Sequence, residues 1–131
     1  MPKVTGAFDV KTIPLPADVD MDTGGFGRLA LDKRFHGALD AESHGQMVAF
    51  QSAVAGSAGY VAMELVRGTL DGQAGSFVLQ HSGTMNRGAQ SLQLTVVPDS
   101  GTEALTGLAG TMKIIMDGKQ HAYDFEYTLS S

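Results

Sequence analysis

The amino-acid sequence predicts an all-β fold, a single closed antiparallel β-barrel of about eight strands formed by residues 1–131. Three observations predict it. Runs of alternating apolar and polar residues recur at intervals of roughly 8–12 residues, the spacing of sandwiches and barrels. The chain holds 17 glycines, which together with two Asp-Gly pairs punctuate those runs as turns do. No segment carries a convincing helical period, although residues 41–50 (AESHGQMVAF) could form a short helix. Eight antiparallel strands in a chain of this length favour closure, because a closed sheet leaves no exposed edge.

The first strand is expected over Val4–Lys11, ending before Pro14 and Pro16, which would remove ladder donors. Residues 15–25 follow as an acidic loop in which Asp18, Asp20 and Asp22 recur at spacing two. GRLALDKRFHG and the run from Ala38 to Phe50 supply the second and third strands, with Gly37 between them. SAGYVAMELVRGTL is the fourth, Asp71-Gly72 a tight hairpin turn and GSFVLQHSG the fifth. After a loop at Met85–Gly88, SLQLTVVP forms the sixth strand and stops at Pro98. Gly107–Met116 is the seventh, Asp117-Gly118 a second turn and HAYDFEYTL the last.

Alternation assigns faces to some of these strands. In the last, His121, Tyr123, Phe125 and Tyr127 share one side and Ala122, Asp124 and Glu126 the other, so the aromatic side points inward. In the fifth, Phe77, Leu79 and His81 share the inward side against Ser76, Val78, Gln80 and Ser82. In the fourth, Tyr60, Ala62 and Glu64 oppose Val61, Met63, Leu65 and Arg67, and apolarity does not decide which side is interior.

Composition narrows the function classes. Lys and Arg number 9 against 14 Asp and Glu, a net charge of −5, and the basic residues are scattered singly, so no nucleic-acid partner is expected. Apolar residues at 43% suffice for one core, which argues against disorder. The absence of Cys excludes disulfides, thiolate metal sites and a Cys nucleophile. The first residues lack the apolar run of a secretory signal, and no stretch approaches the roughly 18 apolar residues of a membrane span. A soluble cytoplasmic protein without a membrane partner is expected; a homo-oligomer is compatible with the sequence.

Motifs add little. GFGRLA at Gly25–Ala30 resembles half of a dinucleotide fingerprint but precedes an alternating strand rather than a helix. There is no Gly-x-Ser-x-Gly, phosphate loop or HExxH, and the Asp18–Asp22 series lacks the later ligands of a calcium loop. A zinc site from His81, His121 and Glu42 has no local spacing behind it, so neither metal nor cofactor is expected.

The chemistry-bearing set is polar residues on otherwise apolar strands, where desolvation tunes carboxylates and imidazoles toward neutrality. Glu64, His81 and Tyr123 are the candidate catalytic groups, as base and hydrogen-bond donor; Glu42, Tyr60, Arg67, His121 and Tyr127 are candidate substrate-binding groups. Each has a plainer alternative: tyrosines as core aromatics, histidines bonded to turn carbonyls, Glu64 and Arg67 as an ion pair opposed by their odd spacing.

Three blocks occur in order: Gly68-Thr69-Leu70 with Gly75-Ser76-Phe77, Leu79 and His81; Val97-Pro98 with Ser100-Gly101-Thr102; and His121 with Tyr123, Tyr127 and Leu129. From about Gly6 to Leu129 the chain resembles a family of small bacterial proteins catalogued as a domain of unknown function, whose barrel is similar to that of allene oxide cyclases. The resemblance implies the barrel and assigns no activity. The barrel relatives include enzymes that bind an apolar substrate in the cavity and guide a cyclisation with few catalytic groups. One departure is visible: members commonly read Ser-Gly-Thr-Gly-Glu-Leu where this chain has Ser100-Gly101-Thr102-Glu103-Ala104-Leu105.

The expected function is binding of a small apolar molecule in the barrel, with cofactor-independent isomerisation or cyclisation; the alternative is a non-catalytic module whose barrel is filled by side chains. Seven methionines, among them Met47, Met63, Met112 and Met116, suit either. The facing of the last strand makes Phe125 a core residue. Phe125→Ala should therefore cost about 3–5 kcal/mol in chemical denaturation, and a neutral substitution would overturn that strand's register.

Overall fold

The computed structural model describes residues 2–15 and 26–129; the acidic loop with Asp18, Asp20 and Asp22 lies outside them. Eight strands run β1 (Lys3–Leu15), β2 (Phe26–Phe35), β3 (Leu39–Gln51), β4 (Ala58–Leu70), β5 (Gln73–Asn86), β6 (Ala89–Val96), β7 (Leu108–Asp117) and β8 (Gln120–Leu129). Each pairs antiparallel with the next, and β8 returns to β1, closing an up-and-down barrel. Residues 41–50 lie in β3, paired to β2 and β4, so the helical alternative loses to a strand with two neighbours.

Several expected boundaries change: β5 runs on to Asn86 and β6 ends at Val96 instead of Pro98. β1 runs through Pro14 to Leu15 rather than ending at Lys11. It pairs with β8 only over Lys3–Phe8 and with β2 over Phe8–Leu15, so Pro14 sits where the strand has one partner and a donor can be spared. The last hairpin turns at Gly118-Lys119, not Asp117-Gly118: Asp117 pairs with Gln120, and Gly118 takes the positive φ of +64° that the first position of a type II′ turn requires. Asp71-Gly72 turns as expected, and Arg87-Gly88 supplies a third tight turn inside the expected Met85–Gly88 loop.

An up-and-down barrel has two ends, and here they differ. The end carrying the β2–β3 and β4–β5 turns and the β6–β7 connection is packed solid. Phe35, Leu39, Val66, Leu70, Phe77, Leu79, Tyr123 and Phe125 are buried there, with Phe77 and Phe125 stacked at 5.8 Å between centroids. Leu105, on the short 3-10 helix Glu103–Leu105, is buried against this capped end. The opposite end, the mouth of the barrel, carries the β3–β4 and β5–β6 turns, and its described residues line a cavity instead of packing solid. The last strand faces as expected, with Tyr123, Phe125 and Tyr127 buried and Glu126 exposed; Asp124, expected exposed, is half-buried and pairs with Lys3 at 3.6 Å.

The Ser100-Gly101-Thr102 block has a structural task. β5 pairs with β6 only from Leu79 onward, which leaves its first half without a strand on that side. The β6–β7 connection replaces it: the Ser100 hydroxyl accepts from Val78 N at 3.0 Å, the Thr102 hydroxyl from Ser76 N at 3.0 Å, and Thr102 N donates to Ser76 O at 2.9 Å. Side-chain oxygens thus satisfy ladder donors that would otherwise be left open. Next to them Glu103 adopts φ +55°, the left-handed region that glycine enters freely. Holding a non-glycine residue there costs about 1–2 kcal/mol, partly offset by the greater unfolded-state entropy of glycine. Glu103→Gly should raise the melting temperature by roughly 2–4 °C in a domain of this size; a fall would mean that the Glu side chain stabilises the loop.

Candidate functional site

The inward side of β4 carries Tyr60, Ala62, Glu64 and Val66, and that settles what alternation left open. Glu64 is 1% exposed in the middle of an otherwise apolar interior. A carboxylate stripped of water there needs a full set of donors, and it has one. Lys33 Nζ on β2 lies 3.2 Å from Glu64 Oε1, His81 Nε2 on β5 donates to the same oxygen at 2.6 Å, and the Ser43 hydroxyl on β3 donates to Oε2. Lys33 is itself held over the Phe8 and Phe35 rings, 5.3 and 5.8 Å from their centroids. Beyond His81, the Tyr60 hydroxyl reaches Nδ1 at 3.4 Å.

This chain sets proton positions. Burial by itself would raise the Glu64 pKa, but the hydrogen bond from His81, the Lys33 ammonium and the Ser43 hydroxyl outweigh it and hold the carboxyl below the ordinary glutamate value. An ionised Glu64 requires the His81 proton on Nε2, and in the neutral imidazole that tautomer turns Nδ1 to the Tyr60 hydroxyl as an acceptor. Burial first, and the Glu64 charge second, push the Tyr60 hydroxyl up, so it stays a neutral donor. The arrangement Tyr–His–Glu repeats the logic of a hydroxyl backed by an imidazole backed by a carboxylate.

Small residues make room for the chain. Gly45 faces Glu64 across β3–β4, and a Cβ there would lie 2.3 Å from Met63 O. Gly83 lies under the Tyr60 ring, where a Cβ would come within 2.5 Å of Cε1, so a side chain at 83 would push the tyrosine aside.

Above the chain, toward the mouth, lies a cavity of about 260 Å³ lined by Leu29, Met47, Ala49, Tyr60, Met85 and Leu92, with Gln90 and Ser91 also on its wall. That volume is just under the roughly 300 Å³ at which ordinary ligand pockets begin. Its walls are mostly apolar.

The eight residues singled out by sequence separate into four groups. Tyr60, Glu64 and His81 converge, and Tyr60 lines the cavity. Tyr123 stands apart, at the capped end: its hydroxyl donates to His36 O at 2.7 Å and accepts from Leu39 N at 3.2 Å, tying down the β2–β3 turn. Tyr127 bonds Asp71 in the β4–β5 turn, and burial together with that acceptor pushes its hydroxyl up to about 12. His121 packs against the Phe8 ring at 5.2 Å. Glu42 and Arg67 face each other across β3 and β4 on the outer wall and are exposed, because both lie on the outward phase of their strands. Sequence reasoning missed Lys33 and Ser43. Their signal was available: Lys33 alternates with Leu31 and Phe35, and Ser43 with Leu39 and Ala41, all buried.

Because the folded-state pKa of Glu64 is depressed, its ionisation stabilises the fold above the ordinary glutamate value of 4.5, and that contribution is lost as pH falls through the folded value. Glu64→Gln strands the Lys33 ammonium and should cost about 3–5 kcal/mol at neutral pH. Thermal melts from pH 7 downward should show the gap between variant and wild type narrowing below the ordinary glutamate range; parallel curves would contradict the assigned ionisation.

Comparison with known proteins agrees with the fold. The family model for a protein of unknown function, DUF3224, matches residues 4–127. Among solved structures, a DUF3224 protein of unknown function from Shewanella oneidensis MR-1 is 52% identical, with a TM-score of 0.94 over 100% of this chain and 98% of that one. No curated protein matches the chain. With nearly its whole length matched by the family model and its barrel superimposable on that of a bacterial member, the chain belongs to the DUF3224 family.

Proposed function

We propose that the barrel binds a small, largely apolar molecule in its mouth cavity and moves a proton on it without a cofactor, as an isomerase or cyclase does. The observation that carries this reading is the hydrogen-bonded chain Tyr60–His81–Glu64 with its outermost member on the cavity wall. As Tyr60 Oη takes a proton from a ligand carbon or oxygen, the hydroxyl proton passes to His81 Nδ1. Glu64, kept ionised by Lys33 and Ser43, stabilises the imidazolium so formed. The reverse transfer, delivered to a second ligand atom, completes a proton shift with no net charge left in the barrel. Neutral Tyr60 also suits hydrogen bonding to a ligand oxygen that gains charge. Cyclisation of an apolar substrate, the chemistry implied by the resemblance to allene oxide cyclases, belongs to the same class and rests on fold analogy.

The packed capped end favours the second reading, a binding or interaction module without turnover. Two measurements separate them. 2-Naphthol, a small apolar probe with one hydroxyl, should bind wild type with a change in its fluorescence. Tyr60→Phe should weaken that binding about 3–10-fold while melting within ~1.5 kcal/mol of wild type, since the ring stays and one hydrogen bond goes. Ala49→Phe, which fills the cavity, should abolish binding. Exchange of the α-protons of cyclohexanone into deuterated water, followed by NMR, should be accelerated by wild type and not by His81→Asn. Binding without exchange supports a non-catalytic binding module; no binding at all overturns the cavity readings and leaves the interaction module.

A further inference from the structure

The hydrogen bonds of the buried polar chain all run one way. Strand register orders its members along the barrel. Lys33 and Ser43 share a rung with Val66, and Glu64 lies on the next with Leu31 and Gly45. Ala62 and His81 form the third rung, and Tyr60 with Ala49 and Gly83 the fourth, toward the mouth. An ionised Glu64 has no proton to give, so it only accepts: from Lys33 and Ser43 on the capped side and from His81 on the mouth side. Charge balance fixes the imidazole. Lys33 already neutralises Glu64, and a second proton on His81, which is 4% exposed, would leave a buried cation without a partner. His81 therefore carries one proton, on Nε2 facing Glu64, and its Nδ1 only accepts. The Tyr60 hydroxyl gives its single proton to that nitrogen. What it turns to the cavity is an oxygen with lone pairs and no hydrogen.

We infer that the molecule held in the cavity is a neutral hydrogen-bond donor, an enol, phenol or alcohol whose hydroxyl donates to Tyr60 Oη. This names the ligand class of the cavity proposed above and rests on that reading. Among the described residues the Tyr60 oxygen receives no hydrogen bond from the protein, and no Asp, Glu, Lys, Arg or His lines the cavity. An ether oxygen at this point would set lone pair against lone pair. A carboxylate would in addition give up its water to walls that offer no cation. If the site turns its ligand over, the substrate is an enol. Its O–H bond breaks as Tyr60 takes the proton, and the proton that Tyr60 held moves to His81 Nδ1. The oxygen's electrons form the carbonyl, and those of the carbon–carbon double bond take a proton at carbon when the chain runs back. The ketone so formed has no hydroxyl left to donate, so the site holds the enol more tightly than its product.

Nitrogen-15 NMR of the full chain at neutral pH tests the direction of the chain with no ligand present. The His81 ring, identified by the response of its Nδ1 signal to Tyr60→Phe, should be the neutral tautomer protonated on Nε2. A proton on Nδ1, in a neutral ring or an imidazolium, overturns the inference. Three naphthalenes test the ligand class. 2-Naphthol donates, 2-methoxynaphthalene only accepts, and 2-naphthoate is an anion with no proton to give. Wild type should bind 2-naphthol about 3–10-fold more tightly than 2-methoxynaphthalene, the difference one hydrogen bond makes, and 2-naphthoate most weakly. In Tyr60→Phe the first two should bind alike. An equal or reversed preference in wild type overturns the inference while the apolar binding cavity stands. A preference that survives Tyr60→Phe puts the acceptor elsewhere and overturns it equally. If none of the three binds, the cavity reading falls and takes this inference with it.

Discussion

A carboxylate buried in a closed apolar barrel is the constraint on which the rest of this structure turns. Glu64 cannot remain ionised at 1% exposure unless donors surround it, and no single strand can supply them. Lys33 comes from β2, Ser43 from β3 and His81 from β5, so the ion links four consecutive strands of the wall. Such a pair contributes less net stability than its Coulomb attraction suggests, since both charges give up their water. Its stronger effect is on geometry. Three side chains that must meet the carboxylate of a fourth fix the register of the strands that carry them, and they require Gly45 opposite Glu64.

The buried ion also divides the interior. On one side, rings and aliphatic side chains fill the barrel, Tyr123 and Tyr127 tie two turns to the wall, and Leu105 is packed in from the β6–β7 connection. On the other, the side chains are smaller and the barrel stays hollow. An eight-stranded barrel is just wide enough to be either full or hollow, and this one is both along its length. The polar chain lies between the two, with Tyr60 turned to the hollow half.

Much of what the family blocks share is explained by packing and edge management. Ser100 and Thr102 replace a missing strand beside β5, and Tyr123 braces the β2–β3 turn. His81 is the exception, since its imidazole joins the buried carboxylate to the residue on the cavity wall.

Local sequence sufficed for the eight strands, most of their turns and the inward aromatic side of β8, because alternation and turn chemistry act over a few neighbouring residues. It also sufficed to single out Glu64, His81 and Tyr60 as polar groups on apolar strands. It could not orient β4: Tyr60-Val61-Ala62-Met63-Glu64-Leu65 is apolar enough on both phases that alternation yields relative facing and no more. Closure decided it, by pairing Glu64 with Gly45 and Leu79 so that its carboxylate meets Lys33, Ser43 and His81 inside. The same closure placed Glu42 and Arg67 outside and Tyr123 and Tyr127 at the capped end, because which side chains converge depends on how far each strand is staggered against the next. Lys33 is legible by its phase, shared with Leu31 and Phe35, but not by its charge. Its charge reads as solvent-exposed in isolation, and only the distant carboxylate of Glu64, 31 residues along the chain, makes an inward lysine stable.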